Sequence, residues 1–327
     1  MIRWLLTAVL ALAIASPVSA AEEFRVGYVR VMDDAQAMLA YEAGLYKKYG
    51  LDAKLVEFSS GTDLIKGIVG GQLDIGVLGF SNAFTWASRG ADLKIVGGAQ
   101  RGYHSLLVRE DSGIESVADL KGKTLASQKQ GSTADIVLKG VMLDNAGLDS
   151  GELNIMGVAP AVAVQSLVGG RVDAAFLFEP YDRIAQLVAP VKQIYQIGDV
   201  WPFPCMVVIT SADTLKNRKD AVWAALDAQR EAIEMLENQP AEAAPLITDY
   251  FIKDEFVESR DQGRIPAEEV ITSAIKTNDF SAQLSGKDIG RMKELASIMQ
   301  AQGILPADKE FNVDALLDLS WQKAREL

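Results

Sequence analysis

Two kinds of hydrophobic pattern alternate along the chain. Short apolar runs without polar interruption are typical of strands covered on both faces, and apolar residues at helical spacing are typical of amphipathic helices. In the first hundred residues the pattern predicts strands near 24–29, 53–58, 73–78 and 93–98, with three helices between them. This order predicts an open α/β lobe with a mostly parallel sheet, in which ligands bind outside the carboxyl ends of the strands.

One pattern occurs twice, 99 positions apart. Residues 70–78 and residues 169–177 share the string Val-Gly-Gly-x-x-Asp-x-x-x-Leu, counted from the preceding valine, and each copy follows an apolar helical run. Each copy therefore predicts a helix, a glycine that supplies a left-handed cap, and a short buried strand. The shared string favours duplication over chance and indicates two similar lobes that face one cleft.

The second half of the chain predicts a return to the first lobe. A strand from His104 leaves lobe I, and prolines and aromatics between Trp201 and Cys205 mark a second crossover. We expect lobe I to comprise residues 21–103, lobe II residues 104–205, and the returning part residues 206–327. Amphipathic patterns predict helices over 214–238, 241–251, 266–276, 286–302 and 313–326, which we expect to pack on lobe I.

The first 20 residues have the pattern of a secretory signal. Arg3 supplies the positive end, Trp4 to Ala15 form the apolar run, and Ala20 ends a small-residue cleavage site. No cysteine lies near this site, which argues against a lipid anchor. We therefore expect export to the periplasm as a soluble protein.

Composition excludes several classes of function. The formal net charge of −12 argues against nucleic-acid binding, which needs a basic surface. With one cysteine and one histidine, neither an intrachain disulfide nor a zinc site of the usual nitrogen–sulfur type can form. The Gly-x-Ser-x-Gly and phosphate-loop motifs are absent. We therefore expect no enzyme activity, no cofactor and no metal.

Two loops rich in small polar residues precede helices, Ser60-Gly61-Thr62 and Gly131-Ser132-Thr133. Such starts leave backbone N–H groups available to an anion, although a Ser/Thr cluster is also an ordinary N-cap. We expect the two starts to mirror one another in opposite lobes and to point into one cleft.

Several motifs together resemble the periplasmic substrate-binding proteins of ABC importers in the sulfonate, taurine, nitrate and pyrimidine-precursor group. In chain order they are Gly27-Tyr28, Glu42-Ala43-Gly44-Leu45-Tyr46, Gly50-Leu51, Gly71-Gln72-Leu73-Asp74-Ile75-Gly76, Ser116-Val117-Ala118-Asp119-Leu120-Lys121-Gly122-Lys123, Gly170-Arg171-Val172-Asp173-Ala174-Ala175, Glu179-Pro180-Tyr181 and Gly303-Ile304-Leu305-Pro306. The resemblance implies a two-lobe, type II binding-protein fold that closes on its solute. It also implies a monomer that delivers the solute to a permease and an ATPase encoded as separate chains.

The resemblance also implies ligand contacts from the loops at the cleft. Carried onto this sequence, these contacts fall on Tyr28, Asp33, Ser60, Gly61, Thr62, Ser81, Asn82, His104, Gln130, Ser132, Thr133, Glu179 and Tyr181.

The chemistry of the solute stays open at this point. A sulfonate or carboxylate would be held by helix N-termini and hydroxyls, with Arg30 or Arg101 as further partners. Asp33 or Glu179 could pair with an ammonium group, as taurine would require, or could serve only as a helix cap and as a partner of Arg183. Aromatic residues suit a nitrogen heterocycle or an aromatic carboxylate instead; they are Tyr28, Phe80, Phe178, Tyr181 and Trp201.

Two other classes of protein compete with the transport interpretation. A pyrimidine-synthase-like enzyme on the same fold needs a Cys-rich iron motif, and this chain has one cysteine. The sensor lobe of a regulator needs a DNA-binding helix-turn-helix or a membrane-attached kinase, and neither pattern is present in the sequence.

Overall fold

The computed structural model describes residues 23–308 and 310–327. The expected secretory signal over residues 1–20 lies outside the described residues. Within the described part of the chain, none of the helices has the length and apolar character needed to cross a bilayer.

The described residues contain thirteen strands and fourteen α-helices. The strands are β1 (Glu23–Val29), β2 (Asp52–Phe58), β3 (Ile75–Gly79), β4 (Leu93–Arg101), β5 (Ser105–Arg109), β6 (Thr124–Ser127), β7 (Asn154–Gly157), β8 (Ala174–Leu177), β9 (Val191–Gln196), β10 (Pro204–Ser211), β11 (Phe256–Ser259), β12 (Gly263–Pro266) and β13 (Asp279–Phe280). The helices are α1 (Ala35–Glu42), α2 (Leu45–Lys48), α3 (Gly61–Val69), α4 (Phe80–Ala87), α5 (Thr133–Val137), α6 (Pro160–Val168), α7 (Tyr181–Val188), α8 (Ile197–Val200), α9 (Ala212–Asn217), α10 (Lys219–Asn238), α11 (Pro240–Phe251), α12 (Ala267–Thr277), α13 (Gly286–Ala301) and α14 (Ser320–Ala324). A π-helical segment, Leu138–Leu143, continues α5.

Two central sheets define two lobes. Lobe I contains the strand order β13-β4-β10-β3-β1-β2, and lobe II contains the order β7-β6-β8-β5-β9. In lobe I, β1 pairs in parallel with β2 and β3, whereas the returning strand β10 lies antiparallel between β3 and β4. The predicted α/β class and the two-lobe architecture are therefore confirmed.

The sequence repeat corresponds to a structural repeat. Both α3 and α6 end before a glycine in the left-handed region, Gly71 at φ +69° and Gly170 at φ +67°, and a buried strand follows. The Asp74 carboxylate accepts the Arg25 backbone N–H at 2.7 Å, and 99 positions later the Asp173 carboxylate accepts the Thr124 N–H at 2.8 Å. Asp74 therefore links the start of β3 to β1, and Asp173 links the start of β8 to β6, in the same way.

The C-terminal helices pack on lobe I, as the pattern predicted. Helices α10 and α11 lie against α1, and α10 also lies against α2. Together they bury one apolar cluster that joins Phe24 and Met38 to Ala225 and Ile271. Helix α13 also reaches lobe II, where the Gln302 side chain donates to the Ile136 carbonyl at 3.1 Å.

Two helix predictions in this region are wrong. The run 214–238 is broken between α9 and α10, because Arg218 has φ −130° and its guanidinium binds Asp74 and the Glu23 carbonyl in lobe I. The run 313–326 contains only a 3₁₀ turn, Asp314–Leu316, and α14. Its extended middle lies against β4 instead, where the Asp318 N–H donates to the Ile95 carbonyl at 2.9 Å.

The apolar pattern also missed the β11–β12 hairpin. This hairpin lies beside α7 and α12. Each of its strands has only four residues and only one or two large apolar side chains, which is too short a pattern to separate from a loop.

Candidate functional site

A cavity of about 530 Å³ lies between the two lobes. It is lined by residues at the carboxyl ends of β1, β2 and β3 in lobe I and of β6, β7 and β8 in lobe II. Because ligands of parallel α/β sheets bind at this edge, the cavity is the candidate site.

The internal repeat extends to the cavity wall. Eight pairs of lining residues stand 99 positions apart, one member in each lobe. The pairs are Val29 and Gln128, Arg30 and Lys129, Phe58 and Gly157, Ser59 and Val158, Ser60 and Ala159, Gly61 and Pro160, Gly79 and Phe178, and Asn82 and Tyr181. The two lobes therefore contribute equivalent loops to one pseudo-symmetric cavity.

Four helices begin at the wall of this cavity. Their starts are marked by Ser60 for α3, Gly79 for α4, Ser132 for α5 and Ala159 for α6. The first N–H groups of a helix have no partner within the helix, and the N-terminus carries partial positive charge. Four such ends around one cavity favour an anionic group.

The two small polar loops are not equivalent in the repeat, contrary to the prediction from the sequence. By the 99-residue offset, the counterpart of the Ser60-Gly61 start is Ala159-Pro160 at α6. The counterparts of Ser132 and Thr133 are Asp33 and Asp34 at the start of α1. The expected mirror of Ser60-Gly61-Thr62 with Gly131-Ser132-Thr133 is thus wrong as a topological relation, although both loops reach the cavity.

Charged side chains at the cavity are paired with one another. The Arg30 guanidinium lies 2.5 Å from the Glu57 carboxylate. Lys129 of lobe II lies 3.3 Å from the Asp63 carboxylate of lobe I. Hydrogen bonds from Lys66 and from the Ser60 hydroxyl, with a smaller contribution from Lys129, hold the pKa of Asp63 well below its usual range. His104 lines the cavity, and burial lowers its pKa to about 4, so its ring is neutral at pH 7.

Hydrogen bonds also join the lobes beside the cavity. The Ser81 and Thr133 hydroxyls lie 2.7 Å apart and are buried. The Tyr181 hydroxyl of lobe II donates to the Arg30 carbonyl of lobe I at 3.3 Å. The lobes are therefore in direct contact at the cavity edge.

Seven of the thirteen residues carried over from the resemblance line the cavity: Ser60, Gly61, Asn82, His104, Ser132, Thr133 and Tyr181. The other six do not line it: Tyr28, Asp33, Thr62, Ser81, Gln130 and Glu179.

Local contacts explain the position of four of these six. The Tyr28 ring packs edge-on against Tyr250, and its hydroxyl donates to Glu57 at 3.3 Å. The Thr62 hydroxyl lies 2.8 Å from that of Ser60, so it supports the loop from behind. Ser81 lies behind Thr133. Gln130 lines a separate surface depression with Asp135 and Lys139.

Glu179 is buried behind the cavity rather than at its wall. Its side chain accepts a hydrogen bond from the Thr277 hydroxyl at 2.8 Å, and the charge of Arg183 acts on it more weakly than burial does. Burial and the neighbouring Asp182 carboxyl raise the pKa of Glu179 to about 9. A neutral carboxyl group in this place supports the fold instead of offering a charge to a solute.

Asp33 lies beneath the cavity floor, next to His104 and Cys205. Candidate donor atoms of these three buried residues all lie within 4.8 Å of one another. Burial, together with the Asp182 carboxyl, raises the pKa of Asp33 to about 8. Counting cysteines and histidines alone could not find this cluster, because it adds a carboxylate from a distant segment.

The aromatic candidates divide in the same way. Phe178 and Tyr181 line the cavity, together with Phe58, which the sequence reasoning did not select. Phe80 is buried in the lobe core, and the Trp201 indole donates to Glu294 at 3.1 Å. Arg101, one of the two arginines considered for an anion, pairs with Asp279 and Asp288 instead.

The sequence reasoning also missed Gln128, Lys129, Ala159 and Pro160 at the cavity wall. A signal for them was present in the sequence. Applying the 99-residue offset to Val29, Arg30 and the Ser60-Gly61 loop selects these four positions directly.

Comparison with known proteins supports the same assignment. The model of the NMT1-like family matches residues 19–248. A protein of Escherichia coli (strain K12) assigned to aliphatic sulfonate binding is 32% identical over 178 residues, which is 53% of this chain and 54% of that protein. A protein of Brachyspira hyodysenteriae assigned as an ABC transporter periplasmic binding protein is 25% identical over 293 residues, 84% of this chain and 81% of that protein.

A solved structure shows the same fold. The alkanesulfonate-binding protein SsuA from Xanthomonas axonopodis pv. citri, bound to MOPS, superposes with a TM-score of 0.77 at 22% identity, covering 92% of this chain and all of that one. The family match spans more than half of this chain, and the fold, the repeat and the interlobe cavity agree with it. The chain belongs to the NMT1-like family and is a substrate-binding protein of an ABC import system.

Proposed function

We propose that this protein captures a small anionic organic solute of the sulfonate or taurine type in the interlobe cavity. The observation that carries the proposal is the convergence of four helix N-termini, with the Ser60, Ser132 and Thr133 hydroxyls, on one cavity of about 530 Å³. Backbone N–H groups and hydroxyls at helix starts hold oxyanions without a matching basic side chain. The relative from Escherichia coli assigned to aliphatic sulfonates supports the same solute class.

Capture and delivery follow from this arrangement. We infer that the lobes, taken as residues 21–103 with 206–327 and residues 104–205, close on the solute and open to release it. Strand membership supports this division, since β5 begins at Ser105 and β10 at Pro204. The protein then acts in the periplasm as a monomer, without catalysis, and hands the solute to a permease whose ATPase is a further chain.

A thermal-shift screen tests the solute class. The panel comprises taurine, linear alkanesulfonates, nitrate, aromatic carboxylates and hydroxymethylpyrimidine. A solute at 100 times its dissociation constant adds about 2.7 kcal/mol to the free energy of unfolding, which is a shift of several degrees. We expect the shift with sulfonates. A shift with ring compounds alone would overturn the sulfonate assignment.

A double variant tests the place of binding. Ser60→Ala combined with Thr133→Ala should weaken the affinity for the solute by about tenfold for each hydrogen bond lost. Ser285→Ala is the matched control, because the Ser285 side chain caps α13 by accepting from the Asp288 N–H, in the way that Ser60 accepts from the Asp63 N–H. Ser285→Ala should lower stability and leave affinity unchanged.

A second solute class is favoured by one observation. Phe58, Phe178 and Tyr181 line the cavity and offer ring faces to an aromatic carboxylate or a pyrimidine. For such a solute, Phe178→Ala should abolish the thermal shift, whereas the shift with a short alkanesulfonate depends on the helix starts.

A further inference from the structure

Three donor groups of different chemistry meet at the cavity floor, where His104 and Cys205 line the cavity and Asp33 lies behind them. Asp33, His104 and Cys205 are each at most 1% exposed, and an oxygen, a ring nitrogen and a sulfur from them lie within 4.8 Å of one another. The three come from separate segments: the turn after β1, the first crossover between β4 and β5, and the start of β10 at the second crossover.

The hydrogen bonds expected of buried polar groups are missing at this cluster. Among the described residues, both carboxylate oxygens of Asp33 and Nδ1 of His104 are buried without a hydrogen-bond partner. Buried polar atoms nearly always have a partner, so each exception needs an explanation. A cation bound within this cluster would supply a partner where hydrogen bonds are missing.

The positions of the three residues are held by their surroundings. The His104 ring stacks on Phe176 at 5.4 Å between ring centroids and meets the edge of Phe178 at 5.5 Å. Cys205 is part of β10, and Asp33 belongs to the short turn Met32–Asp34. Donor atoms held in this way lose little freedom on binding an ion.

The donor set matches one class of ion. A thiolate, an imidazole and a carboxylate are the ligands of zinc, at about 2.0–2.3 Å, which places the donor atoms of a tetrahedral site about 3.3–3.7 Å apart. The candidate donor atoms, now within 4.8 Å of one another, would have to approach by about 1 Å to reach that spacing. One thiolate and one carboxylate also balance the charge of a divalent ion, so that no net charge is buried.

We propose that Asp33, His104 and Cys205 bind one zinc ion beneath the interlobe cavity. His104 and Cys205 also line the cavity, so the fourth coordination position faces the space where a solute lies. The ion would link both crossovers to the first turn of lobe I. Zinc binding to these three residues is measured with metal and without any solute. A negative result for zinc therefore leaves the proposed solute class untouched, and a negative solute screen leaves the zinc site untouched.

The test uses tag-free, full-chain protein freed of metal by a chelator. It is titrated with Co²⁺, and the ion is then displaced by Zn²⁺. We expect one equivalent of each metal and a thiolate-to-cobalt charge-transfer band in the near ultraviolet. Because the chain has a single cysteine, that band reports on Cys205 alone.

Variants then identify the other ligands. Cys205→Ser should abolish the band, and Asp33→Asn and His104→Gln should each weaken zinc binding by more than about tenfold. Asp63→Asn, which changes a carboxylate beside the cavity but outside the cluster, is the control and should bind zinc as the unchanged protein does. Circular dichroism of each metal-free variant confirms folding. Absence of the band in the unchanged protein, or equal zinc affinity in all of the variants, would overturn the proposal.

Discussion

Replacing Gly79 with alanine should hold the two lobes apart without disturbing either. Gly79 ends β3 in lobe I, and a Cβ atom at this position would lie 2.1 Å from Thr133 Oγ1 and 3.0 Å from Thr133 Cβ in lobe II. Its backbone has φ −59°, which alanine adopts without strain. The added methyl group therefore conflicts only with the opposite lobe.

The size of the effect follows from the contact. Relief of the clash requires Thr133 to move away by about 1 Å, and forcing an extra methyl group into packed surroundings costs about 1–3 kcal/mol. This movement also breaks the buried hydrogen bond between Ser81 and Thr133. Since the cost falls on the state in which the lobes touch, affinity for the solute should fall by about 5- to 150-fold.

Calorimetric titration with the solute found in the screen measures this loss, and small-angle scattering measures the shape. Gly79→Ala should bind more weakly and should stay more open at saturating solute than the unchanged protein does. Its melting temperature without solute should hardly change. Gly290→Ala in α13 is the control, because a Cβ there meets no atom within 4 Å.

A double-mutant cycle makes the cause specific. Thr133→Ala removes the hydroxyl group that causes the shorter of the two conflicts, so Gly79→Ala should cost less affinity in the Thr133→Ala background than alone. Equal affinity and equal compaction for Gly79→Ala and the unchanged protein would refute the reasoning, as would strictly additive losses in the cycle.

Two further predictions concern stability. Asp74→Asn should lower the free energy of unfolding by about 1.5–3 kcal/mol, because it removes a buried carboxylate charge that both Arg25 and Arg218 contact. Asp173→Asn, at the equivalent position, keeps an acceptor for the Thr124 N–H and should cost about 1 kcal/mol or less. Urea unfolding compares the two variants, and equal losses would contradict the assignment. The pKa of Glu179 is about 9 in the folded protein and is the ordinary 4.5 in the unfolded chain. Between these pH values the carboxyl group is neutral when folded and ionised when unfolded. Its contribution to stability therefore falls as pH rises from 4.5 to 9, by at most about 1.4 kcal/mol per pH unit. Glu179→Gln should therefore flatten the decline in stability from pH 5 to pH 8, and an unchanged slope would show that Glu179 does not titrate in this way.

Much of the fold could be predicted because the apolar pattern of a segment usually matches the face that the segment packs against the core. The string around Asp74 and Asp173 predicted a helix, a left-handed glycine and a buried strand twice, and both copies are present. Amphipathic patterns likewise predicted α11, α12 and α13 to within one residue at each end. In each case the same apolar face that defines the pattern is the face that packs.

The failures occur where distant contacts override the local pattern. The helix break at Arg218 depends on a carboxylate 144 positions away, and the extended segment near Asp318 depends on pairing with β4. Asp33 is of a residue type that commonly caps helices, yet the fold buries it beside His104 and Cys205. No property of residues close to it in sequence could have indicated those neighbours.

The 99-residue repeat has a consequence for how a solute is oriented. A cavity with perfect two-fold symmetry would accept an elongated molecule equally well in either direction, and a permease would then receive it in two orientations. Directional preference must come from the pairs whose members differ. On the side of lobe I, Gly79 leaves space and Asn82 offers an amide group. At the equivalent positions of lobe II, Phe178 and Tyr181 present two aromatic rings. A solute bound in this cavity would therefore meet different side chains at its two ends, because corresponding loops of the two repeats differ in these residues.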